Sequence, residues 1–381
     1  MNVDWEPEAA RLAAEVTAPV SRWRGPVSAT PRHLFVPRWW RHLDPEGWTL
    51  RDGPADERRW MKAAYSDRSL VTRVGAVHAD HAVPGDHPTG RPTSSSTMPG
   101  LVVRMYQHAQ FGDGADVLDV GTGSGYSCAL LAHRLGEQHV TSIDVDPYLT
   151  ETAVKRLDQA GLHPSVVTGD ATGAMPGSYD RIVSMVSVKP VPASWLAALR
   201  PGGRLVTVLA GTTLLITADR TADGGAQGRV EWDRAGFMAT RTGPDYPPGL
   251  DDFLTAIERA EGDQIRNGRH PVLHLEERWE LRSMLEITAP GIAHRYREDG
   301  DGTRTAWMAH ADGSWARATA HGAESPLVHQ AGPRRLWDIL DEVRDYWLSH
   351  GEFPLYGARV TIPPEGDTIH LQRGRWQATI T

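Results

Sequence analysis

Residues 117–127 read VLDVGTGSGYS, and this stretch decides the fold. An apolar strand ends at Asp119 and Val120, and Gly121, Gly123 and Gly125 follow with one residue between each. Glycine permits a tight turn and lets backbone N–H groups come close to a ligand before the next helix opens. A dinucleotide fingerprint places glycine sixth in G-x-G-x-x-G, where this chain has Tyr126. With no pyrophosphate to cradle, the loop of Gly121, Thr122, Gly123, Ser124 and Gly125 suits the amino-acid end of S-adenosylmethionine. Asp119 is then placed to orient the ammonium, directly or through water.

Working outward, Asp144 ends the strand HVTSID about 20 residues after Gly125, with Val145 next. A carboxylate there can accept hydrogen bonds from both ribose hydroxyls. Asp170 and Ala171, in VVTGDA, close a third strand, where a carboxylate suits the adenine amino group. The turn LRPGGRLV precedes a fifth strand. Acidic ends on three consecutive strands line the edge at which open α/β sheets bind ligands.

Strand candidates at 116–120, 140–144, 165–168, 181–185 and 204–209 alternate with helices at 126–135, 147–160 and 192–199. That alternation implies a parallel sheet covered on both faces. Segments 212–218 and 229–232, around the Gly-rich turn 223–228, predict a closing antiparallel hairpin. The expected fold class is α/β: a Rossmann-like class I methyltransferase with a doubly wound parallel sheet, an N-terminal extension and a C-terminal α+β domain. Residues 1–91 read as a helical and loop region packing on the catalytic domain. Residues 92–245 read as the methyltransferase domain and 246–381 as a separate unit for peptide recognition. Helix-like spacing over 9–43 is broken at Pro19, Pro26, Pro31 and Pro37, and 82–99 reads as an ordered loop or lid. In the last region helices are expected at 251–261 and 334–350, and strands at 303–308 and 314–318 about an Asp312–Gly313 turn. The tail 358–380 reads as strand runs around a Pro-Glu-Gly turn.

Composition narrows the partners. A length of 381 residues exceeds one typical domain of about 100–200. No apolar run approaches the roughly 18 residues of a membrane span, so no membrane partner is expected. The acidic opening MNVDWEPEAARLAAE lacks the layout of a secretory signal. A single cysteine, Cys128, excludes an internal disulfide framework and a multi-cysteine metal site, which fits a cytoplasmic protein. A formal net charge of −8 argues against a nucleic-acid partner. Tryptophans cluster before residue 61 and after residue 278, so the flanks are built differently from the centre.

The segments PRHLFVP (31–37), AYSDRSLVT (64–72), PTSSSTM (92–98), VLDVGTGSGY, the GDA turn and LRPGGRLVTVL occur in this order. On them the chain, over roughly residues 30–235, resembles the protein-L-isoaspartate O-methyltransferase family. In that family a Thr-Ile-Ser-Ala-Pro-His segment closes over the cofactor and presents a serine to the substrate carboxylate. Thr93, Ser94, Ser95 and Ser96 fall on that segment, with Ser95 on the serine; the proline and histidine positions hold Thr97 and Met98. The serine-rich segment with a long C-terminal region is similar to methyltransferases that accompany ATP-grasp ligases in ribosomal peptide (graspetide) biosynthesis. That resemblance implies methylation of an aspartate side chain in a macrocyclised ribosomal precursor peptide, with S-adenosylhomocysteine as product. The ester then closes to an aspartimide. The alternatives are isoaspartate repair and a non-catalytic scaffold that binds the precursor.

A carboxylate nucleophile, whose ordinary pKa is near 3.9, is already ionised at neutral pH, so no general base is expected. Collinear alignment of oxygen, methyl carbon and sulfur can contribute roughly 7–11 kcal/mol. Ser95 is expected to orient the carboxylate, with Ser94, Ser96 and Thr97 supporting, and Thr93 on the cofactor side. His78, Asp80, His81, Asp86 and His87 are metal ligands by type, but their stretch reads as a solvated loop, and no metal is expected. Cys128 reads as a packing residue. In the C-terminal region Arg334, Arg335 or Arg344, interleaved with tryptophans, are candidates to face acidic side chains of a peptide.

Overall fold

A computed structural model describes residues 4–44, 46–241, 243 and 245–381. The N-terminal region opens with helices α1 (Glu6–Val16) and α2 (Arg24–Ala29). It continues with strands β1 (Arg38–Leu43) and β2 (Gly47–Asp52), helix α3 (Glu57–Ala64), and strands β3 (Leu70–Val74), β4 (Val77–His78) and β5 (Pro92–Ser96). The strands form one antiparallel sheet in the order β2-β1-β3-β4, with β5 also on β3. The helical and loop reading of 1–91 is therefore corrected, and so is the loop reading of 92–96. Adjacent strand residues face opposite ways. Trp39 packs into the large core beside Trp60, while Trp40 packs on the other face with Val74, Ala79 and Ala82. Burial on both faces hides the two-residue alternation that marks a strand.

After helix α4 (Pro99–Ala109) comes the α/β unit. Its first half is β6 (Val117–Val120), α5 (Tyr126–Leu135), β7 (Val140–Asp144), α6 (Pro147–Gln159) and β8 (Ser165–Thr168). The chain then returns through β9 (Tyr179–Val188), α7 (Ala193–Ala198), β10 (Leu199–Leu209), β11 (Leu214–Arg220) and β12 (Ala226–Arg234). Strands β8, β7, β6, β9 and β10 lie side by side in parallel; β11 and β12 close the run antiparallel. All four residues of β6 are buried, as in a strand covered on both faces. Because β7 lies on one side of β6 and β9 on the other, the winding reverses at β6, and the crevice beyond the strand ends opens there. This is the expected doubly wound class I methyltransferase sheet with its closing hairpin.

The rest comprises α8 (Asp251–Ala256), β13 (Gln264–Asn267), α9 (Trp279–Thr288), β14 (Ala293–Glu298), β15 (Thr303–Ala309), β16 (Trp315–His321), β17 (Leu327–Ala331) and α10 (Leu336–His350). The chain ends with β18 (Arg359–Ile362), β19 (Ile369–Arg373) and β20 (Trp376–Ile380). Strands β13 to β17 make a separate antiparallel sheet. The tail does not stay with it. Strand β18 pairs with β12, and β19 and β20 follow, extending the central sheet to ten strands. One apolar cluster runs from Leu205, Leu214 and Ile216 through Leu281, Met284 and Leu285 to Val360 and Ile362. The strand pairing thus departs from the expected division at residue 245. No described helix is long and apolar enough to cross a membrane.

Candidate functional site

At the carboxyl ends of β6, β7 and β8 a cavity of about 360 Å³ opens, bounded by the glycine loop, by Asp144 and Val145, and by Asp170 and Ala171. Gly121, Gly123 and Gly125 have φ of 94°, 52° and 90°, values at which a side chain is strained. The loop is tied down from below. Ile143 O accepts from Gly121 N–H at 2.8 Å, and the Thr122 and Ser142 hydroxyls bond each other at 2.7 Å. A Cβ on Gly121 would stand 3.0 Å from Val186 Cγ1, so glycine keeps this cradle open.

Asp144 accepts the Gly123 N–H at 2.9 Å on one oxygen and the Asp146 N–H at 3.1 Å on the other. Each oxygen retains a lone pair for hydroxyl donors in the cavity. Burial pushes the Asp144 carboxyl above its ordinary range, opposed by those two N–H groups and by nearby Arg241. Asp170 accepts from the N–H and hydroxyl of Thr172 at 2.8 and 2.7 Å through one oxygen, leaving the other free of protein donors among the described residues.

Asp119 departs from expectation. It is fully buried behind the cavity wall, where one oxygen accepts from Ser142 Oγ at 2.9 Å and Ser127 Oγ at 3.1 Å. Its other oxygen has no partner among the described residues, and burial pushes the carboxyl up to about 7. Asp119 braces strand β6 and helix α5, so direct contact with an ammonium is not supported. Tyr126 is among the residues that line the cavity, and its buried hydroxyl lacks a partner among the described residues.

Strand β5 lies across the glycine loop. Thr93, Ser94, Ser95 and Thr97 line the cavity. Thr93 Oγ1 donates to Gly75 O at 2.7 Å, which commits its proton, while Ser94 Oγ accepts from Thr72 Oγ1 at 3.0 Å and keeps its own proton to donate. Ser95 is half-buried, with its hydroxyl uncommitted among the described residues. Ser96 is buried and, unlike Ser94 and Ser95, is not among the residues that line the cavity; the strand is irregular here, with shifts of register against β3. Its expected supporting role is corrected accordingly.

Two elements escape a reading of the sequence. Arg32, wholly buried, donates to five carbonyls, those of Ala64, Ser66, Arg68, Ser96 and Thr97, and so staples the serine strand to the N-terminal region. Its PRHLFVP context is a clue, but nothing local says where the guanidinium goes. The second is the stretch 236–241 with Tyr246, which passes over the cavity mouth after β12. It is pinned by Ser187 N–H to Met238 O at 2.8 Å and by Tyr246 OH to Ala239 O at 2.8 Å. From it Arg241 lines the cavity, 3.4 Å from Asp146. Burial opposes the charge of Asp146, but His78, Arg73 and Arg241 outweigh it and hold the carboxyl at about 2.

The histidine-rich stretch divides: from Val83 to His87 it is largely exposed and irregular, as a solvated loop is, while its first part packs against α6. His78 faces Asp146 at 3.3 Å, Asp80 accepts from Tyr148 OH at 3.0 Å and Arg156 at 2.7 Å, and His81 packs on the Tyr148 ring. No cluster of three potential metal ligands occurs among the described residues. Cys128 is buried in the core, and burial pushes its thiol up.

The donor set fits S-adenosylmethionine: an open glycine cradle, a carboxylate with free lone pairs at the second strand, and another at the third. Residues 71–232 match the family model described as protein-L-isoaspartate(D-aspartate) O-methyltransferase (PCMT). The protein-L-isoaspartate O-methyltransferase of Ignicoccus hospitalis is 32% identical over 180 residues, 46% of this chain and 67% of that one. The enzyme of that name from Methanothrix thermoacetophila is 32% identical over 184 residues, 47% of this chain and 70% of its own. A solved structure titled protein-L-isoaspartate O-methyltransferase aligns over 99% of both chains at 16% identity, with a TM-score of 0.48. The chain belongs to the protein-L-isoaspartate O-methyltransferase family.

Proposed function

We propose that this protein is an S-adenosylmethionine-dependent O-methyltransferase whose acceptor is the carboxylate of an isoaspartyl residue in a peptide or protein. The observation that carries the reading is the placement of Ser95, on a strand that crosses the glycine loop, within the same cavity as Asp144 and Arg241. S-adenosylmethionine, when bound, supplies a methyl group on a sulfonium, open to attack by a carboxylate oxygen. The protein's own groups then position and exclude. Ser95 Oγ can donate to the carboxylate and aim its free oxygen. Arg241 offers a counter-charge already shared with Asp146, which keeps it from binding the acceptor so tightly that its nucleophilicity is lost. Strand β5 and the 236–241 stretch both line the cavity, so a bound acceptor would be held between them and shielded from water. A carboxylate is ionised at neutral pH and needs no proton removed before it attacks.

A second reading has a specific observation behind it. The antiparallel sheet β13–β17 with helices α9 and α10 lies outside the matched stretch 71–232 and carries an apolar groove of its own. A dedicated peptide, such as a ring-bearing ribosomal precursor made by an ATP-grasp ligase, would use such a surface, and methylation of its aspartate would lead to an aspartimide. Intact-mass spectrometry decides between them. Purified protein is incubated with S-adenosylmethionine and matched isoaspartyl and aspartyl peptides. A gain of one methyl group on the isoaspartyl peptide alone supports the first reading. No gain on either, with cofactor binding confirmed by calorimetry, overturns it and favours a dedicated precursor.

A further inference from the structure

Strands β3 and β5 do not pair evenly. Val71 stands opposite Ser95 and Arg73 opposite Ser94, so Thr72 is an extra residue with no counterpart on β5. Such a bulge re-aims the side chain that it carries. Here the buried Thr72 hydroxyl donates to Ser94 Oγ at 3.0 Å. A hydroxyl that accepts one hydrogen bond still has its own proton to give. Ser94 Oγ gives that proton to no protein acceptor among the described residues. Ser94 is 5% exposed and lines the cofactor cavity. Its Oγ lies 3.9 Å from the point that a Cβ on Gly123 would occupy, so the hydroxyl looks onto the middle of the glycine loop.

The loop itself has few donors to spare. The N–H groups of Gly121 and Thr122 go to Ile143 O, that of Gly123 to Asp144 and that of Gly125 to Thr122 O. The Thr122 hydroxyl is bonded to that of Ser142. Arg241, the cation of the cavity wall among the described residues, is turned to Gly243 O at 2.6 Å and to Asp146 at 3.4 Å. The amino-acid end of S-adenosylmethionine carries an ammonium, which needs acceptors, and a carboxylate, which needs donors. Acceptors are at hand: the Ser95 and Gly121 carbonyl oxygens stand 3.3 and 3.9 Å from the same Cβ point on Gly123. Donors are scarcer, and the Ser94 hydroxyl brings one from β5.

We propose that Ser94 is a cofactor-binding residue whose hydroxyl donates to the carboxylate of S-adenosylmethionine. Thr72, turned by the bulge in β3, is a positioning residue: by donating to Ser94 Oγ it leaves the Ser94 proton aimed into the cavity. Ser94 thus passes from the acceptor side, where the sequence placed it, to the cofactor side, and Ser95 is left to the acceptor. Ser94 stands where the Thr-Ile-Ser segment has an isoleucine, which cannot donate, so the contact belongs to this chain's own side chain. The inference rests on the cofactor and not on the identity of the acceptor.

The test is titration calorimetry of the full-length protein with S-adenosylmethionine and with its decarboxylated analogue, which keeps the ammonium and the sulfonium. The wild type should prefer the carboxylated ligand by about tenfold or more, as one hydrogen bond to a charged group allows. Ser94→Ala should weaken S-adenosylmethionine binding by about tenfold and the analogue by less than about twofold. Thr72→Val should cost S-adenosylmethionine about threefold, and Thr72→Ser, which keeps the hydroxyl, should restore wild-type affinity. No carboxylate preference in the wild type, or an equal loss of both ligands in Ser94→Ala, overturns the proposal. A larger loss of the analogue overturns it in favour of the ammonium as the partner of Ser94. A higher KM for an isoaspartyl peptide in Ser94→Ala, with cofactor affinity retained, overturns it in favour of the acceptor. Thr72→Ser binding no better than Thr72→Val overturns the role given to Thr72. Failure of the wild type to methylate an isoaspartyl peptide, with the carboxylate preference intact, would count against the acceptor reading and not against Ser94.

Discussion

The carbonyl oxygen of Ser95 lies 3.3 Å from the point a Cβ on Gly123 would occupy. Strand β5 therefore rests on the glycine loop at its middle glycine. The same residue has a φ of 52° and gives its N–H to Asp144. Gly123→Ala should strain the loop by about 1–2 kcal/mol and push β5 away from it. The expected result in calorimetry is at least a tenfold weaker S-adenosylmethionine affinity with a modest fall in melting temperature; unchanged affinity would show that the loop and strand are not coupled.

Ser95 and Ser96 separate orientation from packing. Ser95 faces the cavity and Ser96 the core. Loss of one orienting hydrogen bond to a charged group is worth about 1.5–3 kcal/mol. Ser95→Ala should lower kcat/KM for an isoaspartyl peptide by roughly tenfold or more without altering cofactor affinity. Ser96→Ala should change kcat/KM less than about twofold. Equal effects would remove the assignment of Ser95.

Asp119 predicts a pH dependence of stability. Its carboxyl rises from an ordinary 3.8 to about 7 through burial. The folded state thus holds a proton that the unfolded chain releases. This contribution is complete below about pH 4 and is lost as pH rises through about 7, on the order of 4 kcal/mol at full effect. Asp119→Asn keeps an oxygen for the Ser127 and Ser142 hydroxyls and carries no proton to lose. Between pH 5 and 8 the wild-type melting temperature should fall more steeply than that of the variant; parallel curves would contradict the assignment.

A chain ended at residue 245 should not fold on its own. It would strip β18 from β12, leaving an unpaired strand edge, and would expose the apolar side of Leu214 and Ile216. Expression of this truncation should yield aggregated protein in sedimentation. A soluble, cooperative monomer would show that the tail is dispensable.

Much of the α/β unit was legible because its local signals agree. VLDVGTGSGYS, the strand-end acids Asp144 and Asp170, and the alternation of buried strands with helices all state the same fold within short windows. The N-terminal sheet was not legible, because tryptophans buried on both faces of β1 conceal its period. Asp119 shows the limit at the site itself: its position at a strand end is evident, but whether its carboxyl turns to the ligand or to Ser127 and Ser142 is a matter of packing.

The sequence by itself determined the family, the glycine cradle, and which strand ends carry acids, since each is written in contiguous residues whose backbone needs are local. Only the tertiary structure decided that Arg32 staples the serine strand, that Arg241 closes over the cavity, that the last three strands return to the central sheet, and that Arg334 and Arg335 pair with Asp312 and Asp263 while helix α10 buries Arg344. Each of these joins residues far apart in the chain, and long-range partners are chosen by the packing of whole elements, which no local pattern encodes.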